Sequence, residues 1–596
     1  MERYGVLIKR NEKQTFIILF IILLFVGAGS FIRIFFGAEL SDEAYSVAEA
    51  YLVADGAIPF VTNWSQIPGW ALLMAPFSKL YIWLNGSTEG MFLYMRLVSF
   101  MLTVLFMLAI NRLLKGYVEP GYLRIIYLMP MVIPFFYGLT VFRADRPALF
   151  IIWISGILLV LSLYDNGKKH YAFFSGICAA AAILCYAQLL IYCFIIVLML
   201  VGYELKQDKK FVITFRFVMG GILTAGVTTG YLIIKSGNIY RFIKGFQYLL
   251  SDVAYFRIEN DGIYKFVPFM KVVLLDIIIK HILFYTGLAA VICAIITYKR
   301  RCYDKQYFRL LSLTYGTVLS CISYVIEYHN VRLLIIIYYI CLHLYLAAPW
   351  FVLYTHKYKK LCSLLLFFFW FPSGVWMIVT ALTTYAEPVT RTLLLSNGSF
   401  LTLLFAALAF RERMDKTDTA LTGIAASCIL AAVVSFSMLF NVYSYIYRDG
   451  DIGQLNHRVK TGAYKGVFTT KERKQGIIKL EEVIREYTNE DNRVLAMESV
   501  PFVYLMTDAH PCTPSTWDQS MYVHGFNDDS LYMHYFEMTG SVPDRIIYIR
   551  SGIHGDISID CEGYKFNDYV NENYELIYED RDAMYPVLIY ARKNNN

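Results

Sequence analysis

The sequence has few charged side chains. Only 17% of its 596 residues are Asp, Glu, Lys or Arg, whereas 57% are hydrophobic and the formal net charge is +7. Soluble domains contain roughly 25% charged residues. Apolar runs of about 20 residues recur along the chain, the length that a helix needs to cross a hydrocarbon core of roughly 30 Å. A soluble enzyme is therefore excluded, and the composition predicts a polytopic α-helical membrane protein.

Several targeting and ligand signals are also missing. The first apolar run follows Lys9, Arg10 and Lys13, and no small-residue cleavage site comes after it, which favours an uncleaved anchor with a cytoplasmic N-terminus. The 11 cysteines include no Cys-x-x-Cys pair and no metal-ligand spacing. Cys512 and Cys561 are the only two in the polar C-terminal region, and they could pair if that region is extracytoplasmic. The positive charges lie in loops and report membrane topology, so no nucleic-acid partner is predicted.

The apolar runs predict about thirteen membrane spans. They are Phe16–Phe36, Met91–Leu114, Tyr122–Leu139, Ala148–Tyr164, Tyr171–Tyr186, Leu189–Tyr203, Phe211–Ile234, Ile279–Tyr298, Leu310–Ile326, Leu333–Tyr354, Leu361–Leu382, Leu393–Phe410 and Ala420–Phe440. Lysine and arginine clusters occur in alternate loops, on the side that the N-terminus assigns to the cytoplasm. An odd number of spans then leaves the C-terminal region outside. We expect a multi-pass plasma-membrane protein with a transmembrane domain over residues 1–440 and an extracytoplasmic domain over residues 441–596.

Ionisable residues near the span ends collect on the predicted outer side. The first outer loop, residues 37–90, begins with the adjacent carboxylates Asp42 and Glu43, and short helices are predicted over Glu43–Asp55 and Trp70–Leu84. A charge beside a span is costly, and a helix stop explains one carboxylate but not two. The same side holds one more acid, four arginines and a histidine: Asp145, Arg96, Arg143, Arg146, Arg332 and His329.

The outer arginines have two interpretations. Arg143 and Arg146 can extend to the interface or pair with Asp145. They can equally bind a phosphate, because a guanidinium fork matches phosphate oxygens. Together with the carboxylates, which can take a proton or hold a divalent ion, they describe a pocket at the outer membrane surface. A sugar linked to a lipid phosphate fits such a pocket, since apolar and aromatic walls suit the lipid chain.

Three segments of the first loop have a recognisable pattern. They are Ser41-Asp42-Glu43-Ala44-Tyr45, Gly56-Ala57-Ile58-Pro59-Phe60 and Asn63-Trp64-Ser65-Gln66-Ile67-Pro68-Gly69. The pattern resembles the first loop of GT-C glycosyltransferases, in the branch of protein O-mannosyltransferases and bacterial aminoarabinose transferases. Further resemblances are Arg96-Leu97-Val98-Ser99, Asp145 and Tyr328-His329-Asn330-Val331-Arg332-Leu333. The segment Ile67-Pro68-Gly69 departs from the family because it lacks the basic residue and the double proline.

The resemblance implies a reaction and roles for the residues. The reaction is transfer of a sugar from a polyprenyl-phosphate donor to an envelope glycan, lipid or protein on the outer face, with inversion at the anomeric carbon. Asp42 would be the general base, and Glu43 and Asp145 would position it or bind a divalent cation such as Mg²⁺ or Mn²⁺. Trp64 and Gln66 would position the acceptor or the loop. The donor phosphate would be bound by five residues: Arg96, Arg143, Arg146, His329 and Arg332.

The C-terminal region has a different pattern. Lys471–Tyr487 has helical periodicity, and Val494–Met497, Arg545–Ile549 and Val587–Tyr590 have the composition of short strands. A small α/β domain is predicted. It contains no GxGxxG, Walker A, HExxH or GxSxG motif, and its histidines lack ligand spacing.

Two non-enzymatic functions compete with glycosyl transfer. A lipid or glycan transporter or flippase predicts internal repeats and broken polar helices near the bilayer midplane. No repeat of two comparable halves occurs in this sequence, and its charges cluster at one surface. The other alternative is a scaffold that binds envelope polymers through its C-terminal domain, with inactive spans. The Asp42-Glu43 pair argues against this scaffold.

Overall fold

A computed structural model describes most of the chain. The described residues are 2–65, 67–133, 143, 145–207, 210–251, 267, 270–300, 305–327, 334–383, 392–414, 420–444, 446, 448–497, 500–517, 530–549 and 565–593. Gln66, His329, Arg332 and Cys561, which the sequence singles out, lie outside these ranges. For Asp145 the backbone is described but the side chain is not.

The part before residue 445 is helical. Its helices are α1 (Glu2–Arg33), α2 (Asp42–Ala54), α3 (Pro68–Asn85), α4 (Met91–Leu114), α5 (Gly121–Leu128), α6 (Asp145–Tyr164), α7 (Tyr171–Cys185), α8 (Leu189–Lys206), α9 (Val212–Ser236), α10 (Ile239–Ser251), α11 (Phe284–Arg300), α12 (Lys305–Ile326), α13 (Leu334–Val352), α14 (Lys359–Leu365), α15 (Phe371–Thr383), α16 (Thr392–Met414) and α17 (Ala420–Ser444). A 3₁₀ turn, Met129–Val132, extends α5. Two π-helical segments, Val272–Leu283 and Leu366–Trp370, lead into α11 and α15.

Each predicted span overlaps one of these helical segments, although the part of Tyr122–Leu139 beyond residue 133 lies outside the described ranges. Among the described residues, nine helices are long and apolar enough to cross a membrane. Three further apolar helices are shorter: Gly121–Val132, Tyr171–Cys185 and Ile336–Val352. The structure confirms a chain built from many apolar helices, whereas the number of crossings and the sidedness of the termini stay predictions.

Glycines allow two of the helices to approach closely. A Cβ atom on Gly176 of α7 would lie 1.9 Å from the carbonyl oxygen of Phe217, and one on Gly220 of α9 would lie 2.1 Å from that of Phe173. Neither distance is compatible with a side chain. Small residues facing each other are typical of helix pairs in membranes, where backbone packing replaces the hydrophobic effect as the source of association.

Both helices predicted in the first loop are present. The first begins one residue earlier than predicted, at Asp42, and ends at Ala54. The second runs from Pro68, at a first-turn position where a missing N–H costs nothing, to Asn85, and is closed by Gly86 at φ +69°. The indole N–H of Trp70 donates to the Ser46 carbonyl at 3.1 Å and joins the two helices. Their predicted position at the membrane interface stays a prediction.

Two β-sheets follow α17. Their strands are β1 (His457–Arg458), β2 (Phe468–Thr469), β3 (Arg493–Met497), β4 (His510–Pro511), β5 (Arg545–Ile549), β6 (Tyr574–Asp580) and β7 (Val587–Arg592). The strands β1 and β2 form a separate antiparallel pair. The other five have the order β4-β3-β5-β7-β6, in which β3 is parallel to β4 and β5 while β7 is antiparallel to β5 and β6. The helices packed with the sheet are α18 (Lys471–Tyr487), α19 (Ser530–Thr539) and α20 (Lys565–Asn573).

The three predicted strands are confirmed, and two others of the five-stranded sheet were missed. β4 is only two residues long, and β6 is an edge strand with a single buried residue, so neither has the buried apolar pattern that identifies a strand. Cys512 is buried beside β4, where its thiol donates to the Ser541 carbonyl at 3.6 Å. Burial raises the pKa of this thiol to about 12. A bond between Cys512 and Cys561 stays a prediction.

Candidate active site

The segment between α1 and α2 pairs with the C-terminal domain. The chain turns at Gly37, whose φ is +91° and where a Cβ atom would lie 2.3 Å from Cγ2 of Ile446. A residue other than glycine would be strained here. The Gly37 amide donates to the Phe468 carbonyl at 2.8 Å, and the Phe468 amide donates to the Phe35 carbonyl at 2.7 Å. Strand β2 therefore fixes the backbone that leads to Asp42.

Side chains of the C-terminal domain hold the next residues of this segment. The Ala38 amide donates to Oδ2 of Asp449 at 2.7 Å, and Nη1 of Arg473 donates to the Ala38 carbonyl at 2.9 Å. Arg473 and Asp449 also pair with each other at 3.3 Å. The Tyr464 hydroxyl donates to the Glu39 carbonyl at 2.7 Å. The start of α2 is thus built jointly by both parts of the chain.

Glu43 forms a buried ion pair with Arg96. The guanidinium donates Nε–H to Oε1 at 2.7 Å and Nη2–H to Oε2 at 2.6 Å, and each side chain is 1% exposed. The same guanidinium donates to the carbonyls of Ile34 at 2.7 Å and Gly37 at 2.5 Å. This fork ties α4 to the end of α1 and to the first turn of α2. Arg96 is therefore not placed to bind a donor phosphate, and that prediction is corrected to a positioning role.

Asp42 lies at the first position of α2, beside Arg143. Its Oδ2 is 3.4 Å from Nη1 of Arg143, and the side chains are 20% and 22% exposed, so both reach the surface. The free N–H groups of the first helical turn favour a carboxylate at this position. Asp42 and Arg143, which the sequence placed in the same site, are thus brought together by the fold.

Glu39 is a third carboxyl group at the start of α2, and the sequence prediction missed it. Its Oε2 accepts the backbone N–H of Glu43 at 2.6 Å, and the residue is 2% exposed. Its Oε1 has no hydrogen-bond partner within the described part of the chain and lies 3.8 Å from Nη1 of Arg448. Burial, reinforced by the charge of Asp42, raises the pKa of Glu39 to about 8. Glu39 is therefore largely protonated at neutral pH.

The pKa of Glu39 predicts that stability falls as the pH rises. An unfolded glutamate releases its proton near pH 4.5 and the folded one near pH 8, so the folded state holds more protons across this window. The free energy of unfolding should decline through the window by on the order of 4 kcal/mol and then level off. Thermal unfolding of the purified protein from pH 5 to 8.5 measures this decline. In Glu39→Gln it should largely disappear, and an unchanged slope would contradict the assignment to Glu39.

Asp145 and Arg146 begin helix α6. The Arg146 amide donates to the Arg143 carbonyl at 3.0 Å, which places the two arginines in one turn next to Asp42. The guanidinium of Arg146 lies over the ring of Phe150, 6.0 Å from its centroid. Helix α6 starts at Asp145, so the backbone of Asp145 lies two positions along the chain from Arg143, the partner of Asp42. The predicted roles of Asp145 and Arg146 stay predictions.

Trp64 is packed in the interior of the protein. It is 7% exposed, its indole N–H donates to the Val61 carbonyl at 3.1 Å, and its ring packs edge-on against Tyr535 at 5.5 Å. Its amide donates to the Pro514 carbonyl at 2.6 Å. Of the two predicted roles, the geometry fits positioning of the loop and does not fit contact with an acceptor.

Glu49 attaches α2 to the C-terminal domain. One oxygen accepts the amide and the hydroxyl of Thr516 at 2.8 and 2.7 Å, and the other accepts Nδ2 of Asn63 at 2.6 Å. Burial raises the pKa of this carboxyl group. Trp517, which follows Thr516 in the chain, is half-buried, and its ring centroid lies 5.4 Å from that of Tyr45. The hydroxyls of Tyr45 and Ser65 are 2.7 Å apart, within hydrogen-bonding distance.

Glu43 does not fit the predicted role of a cation ligand. Both of its oxygens accept from Arg96, which also supplies the opposite charge. Among the residues that the structure describes, no three His, Cys, Asp or Glu side chains converge as a cation site would need. The side chain of Asp145, the other predicted ligand, is not among those that the structure describes.

Comparisons with known proteins find similarity to solved structures but no sequence relative. No protein-family model matches the chain. No curated protein matches it either. Among solved structures, the chain is similar to the archaeal oligosaccharyltransferase AglB from Archaeoglobus fulgidus, in complex with an inhibitory peptide and a dolichol-phosphate. The identity is 10%, the TM-score is 0.46, and the match covers 97% of this chain and 74% of that one. A TM-score below 0.5 does not establish a common fold, so the function proposed below depends on the residues of this chain.

Proposed function

We propose that the protein is a membrane glycosyltransferase of the GT-C type. It moves a sugar from a polyprenyl-phosphate donor to an acceptor hydroxyl on the outer face, with inversion. The observation that supports this proposal most is the surface-reaching pair of Asp42 and Arg143 at the N-terminus of α2. The backbone that carries Asp42 is held in place, because the neighbouring Glu43–Arg96 pair is buried and fully hydrogen-bonded.

The proposed step is a single displacement. The acceptor oxygen forms a bond to the anomeric carbon while the bond from that carbon to the phosphate oxygen breaks. The proton of the acceptor hydroxyl passes to an oxygen of Asp42, and the electron pair of the broken bond leaves on the polyprenyl phosphate. A general base of this kind contributes roughly 10²- to 10⁴-fold to a rate.

The arginines take different parts in this step. Arg143 pairs with Asp42 and fixes the direction of its carboxylate. We assign to Arg146, one turn away, the stabilisation of the charge that develops on the leaving phosphate, and we expect His329 and Arg332 to share this role. Arg96 acts only through Glu43 and the backbone carbonyls, and it does not touch the substrate.

The acceptor is proposed to approach along one face of α2. Asp42, Tyr45 and Glu49 have the i, i+3, i+7 spacing that places them on the same face of a helix. Glu49 holds Thr516, and Trp517 packs on Tyr45, about one turn from Asp42. The C-terminal domain therefore supplies an aromatic wall beside the proposed base. Aromatic rings with a polar edge suit an amphipathic acceptor.

Removal of this wall should weaken acceptor binding. In Trp517→Ala the acceptor KM should rise about fivefold or more, since a lost aromatic contact costs on the order of 1 kcal/mol or above, while the donor KM stays unchanged. Initial rates at varied acceptor and donor concentrations measure both constants. Trp83→Ala is the matched control, because Trp83 is 78% exposed on α3 and should alter neither. Equal changes in both KM values would indicate a purely structural role for Trp517.

The proposed function is tested with the purified protein in lipid nanodiscs. A panel of radiolabelled polyprenyl-phosphate hexoses and pentoses is incubated with hydroxyl-bearing acceptors, and covalent transfer is scored by chromatography. A labelled acceptor is the expected product. A flippase would move the labelled lipid across proteoliposomes without forming that product, and this result would contradict glycosyl transfer.

A further inference from the structure

A polar cavity lies between helices that the proposed reaction does not use. It has a volume of about 120 Å³ and is lined by Asp276, Lys280, His281, Tyr324 and Glu327, together with Ile336 and Tyr339. The first three residues belong to the π-helical segment Val272–Leu283, which leads into α11. Tyr324 belongs to α12, and Glu327 is the first residue after the end of that helix. A cavity of this size holds several water molecules and has room for a small ligand group.

The π-helical backbone brings ionisable residues of one helix to the same place. His281 comes five positions after Asp276, and the i→i+5 repeat of a π-helix puts such a pair on one side of the helix. Segments of this kind are rare and occur frequently at functional sites. The residues between and beside them, Leu275 and Ile279, are 46% and 54% exposed and form an apolar outer surface next to the cavity. We expect this surface to face lipid, because the helix that carries it is a candidate membrane span.

The hydrogen-bond network determines the tautomer of His281. The single hydroxyl proton of Ser323 is donated to the Ser320 carbonyl at 2.8 Å. Oγ of Ser323 must then accept from Nδ1 of His281, 3.0 Å away. In the neutral ring Nε2 is left as an acceptor, and it faces Oε2 of Glu327 at 3.7 Å. Two acceptors at this separation do not bond to each other, but a third group can donate to both.

The cavity also has an excess of negative charge. Lys280 pairs with Glu327 at 3.5 Å. Asp276 forms no ion pair and no hydrogen bond with another residue in the described ranges, although it belongs to the apolar span Val273–Ile296. A carboxylate without a counter-charge is costly in such a span. The hydroxyl of Tyr324, a residue only 3% exposed, likewise lacks a partner among the described residues.

We propose that this cavity binds a primary ammonium group. The ammonium has three N–H donors, which match the carboxylates of Asp276 and Glu327 and Nε2 of His281. The rings of Tyr324 and Tyr339, 5.7 Å apart and nearly parallel, add the aromatic faces that attract a cation. A phosphate is disfavoured because two carboxylates face one lysine. The ammonium comes either from the headgroup of a bilayer lipid or from an amino sugar, and the site is independent of the proposed glycosyl transfer.

The test measures ligand-induced thermal stabilisation of the purified full-length protein. One arm compares nanodiscs of phosphatidylethanolamine with nanodiscs of phosphatidylglycerol, and the other adds ethanolamine, glucosamine or glucose in detergent. We expect an amine-containing probe to raise the unfolding temperature. We also expect Asp276→Asn to weaken the apparent affinity about tenfold or more, the effect of losing a hydrogen bond to a charged group. A response to phosphatidylethanolamine and ethanolamine indicates a lipid headgroup, and a response to glucosamine alone indicates an amino sugar.

The control is Asp165→Asn, which removes a carboxylate from an exposed ion pair with Lys168 at 3.9 Å and should leave the response unchanged. Equal stabilisation by glucose or phosphatidylglycerol would overturn the proposal. So would an unaltered response of Asp276→Asn, or no response to any amine. None of these results bears on the transferase assay, which uses a different site.

Discussion

Replacement of Asp42 by Asn should lower kcat by roughly 10²- to 10⁴-fold, the contribution of a general base. Asparagine has almost the same shape but cannot take the proton of the acceptor hydroxyl. The donor KM should change little, because the sugar phosphate is bound by other groups. The measurement is the initial rate of transfer with purified protein and a lipid-phosphate sugar, together with the thermal unfolding temperature, which should stay close to that of the wild type.

Asp55→Asn is a suitable control for this experiment. Asp55 follows the C-terminal end of the same helix and pairs with His510 at 3.1 Å on the surface. Removal of its charge should change the rate by less than about twofold, since surface ion pairs contribute little. Full activity of Asp42→Asn would remove Asp42 from the reaction. An equal loss in both variants would point to a general effect of charge and not to a base.

Loss of the Arg96 guanidinium should cause the largest fall in stability. Arg96→Met leaves the Glu43 carboxylate buried without a counter-charge and removes donors from the carbonyls of Ile34 and Gly37. Breaking a buried ion pair in this way costs about 3–5 kcal/mol. Glu43→Gln should cost less, because glutamine keeps one acceptor oxygen and Arg96 keeps its carbonyl partners. Thermal unfolding of the two variants gives the order of the effects.

The same two variants separate positioning from catalysis. If Glu43 positions Asp42, the activity of Glu43→Gln should fall in parallel with the unfolding temperature and recover in part under stabilising conditions. A glutamine variant that is as stable as the wild type but inactive would instead make Glu43 a reacting group. A larger loss of stability in Glu43→Gln than in Arg96→Met would contradict the proposed hydrogen-bond network.

Local patterns in the sequence predicted the elements well. The helix Lys471–Tyr487 has the predicted bounds, and the strand Arg545–Ile549 does as well. In the helix, the spacing of apolar residues determines which face is buried, whereas the strand is marked by a continuous apolar run that is buried on both faces. The two helices of the first loop followed from the same signal. Asp42 and Arg143, predicted as neighbours in a site, lie 3.4 Å apart. These outcomes depend on short-range periodicity and on charge at span ends, which a sequence displays directly.

Contacts between distant parts of the chain could not be predicted. Asp449 binds the Ala38 amide across 411 positions, and Thr516 binds Glu49 across 467. No local pattern marks such partners. Arg96 was predicted to bind phosphate because a sequence does not reveal whether a guanidinium is exposed or already bonded. Glu39 gave a usable signal, since it is the first of three acids within five residues, but only the fold shows that it is buried.

The stereochemistry of transfer tests the proposed reaction most directly. The purified protein is supplied with a ¹³C-labelled polyprenyl-phosphate sugar of known anomeric configuration, and the anomeric carbon of the product is observed by NMR. A single displacement with Asp42 as base predicts the inverted configuration from the wild type, and formation of that product at least about 10²-fold more slowly by Asp42→Asn. Retention of configuration, or the same rate of product formation by both proteins, would contradict it.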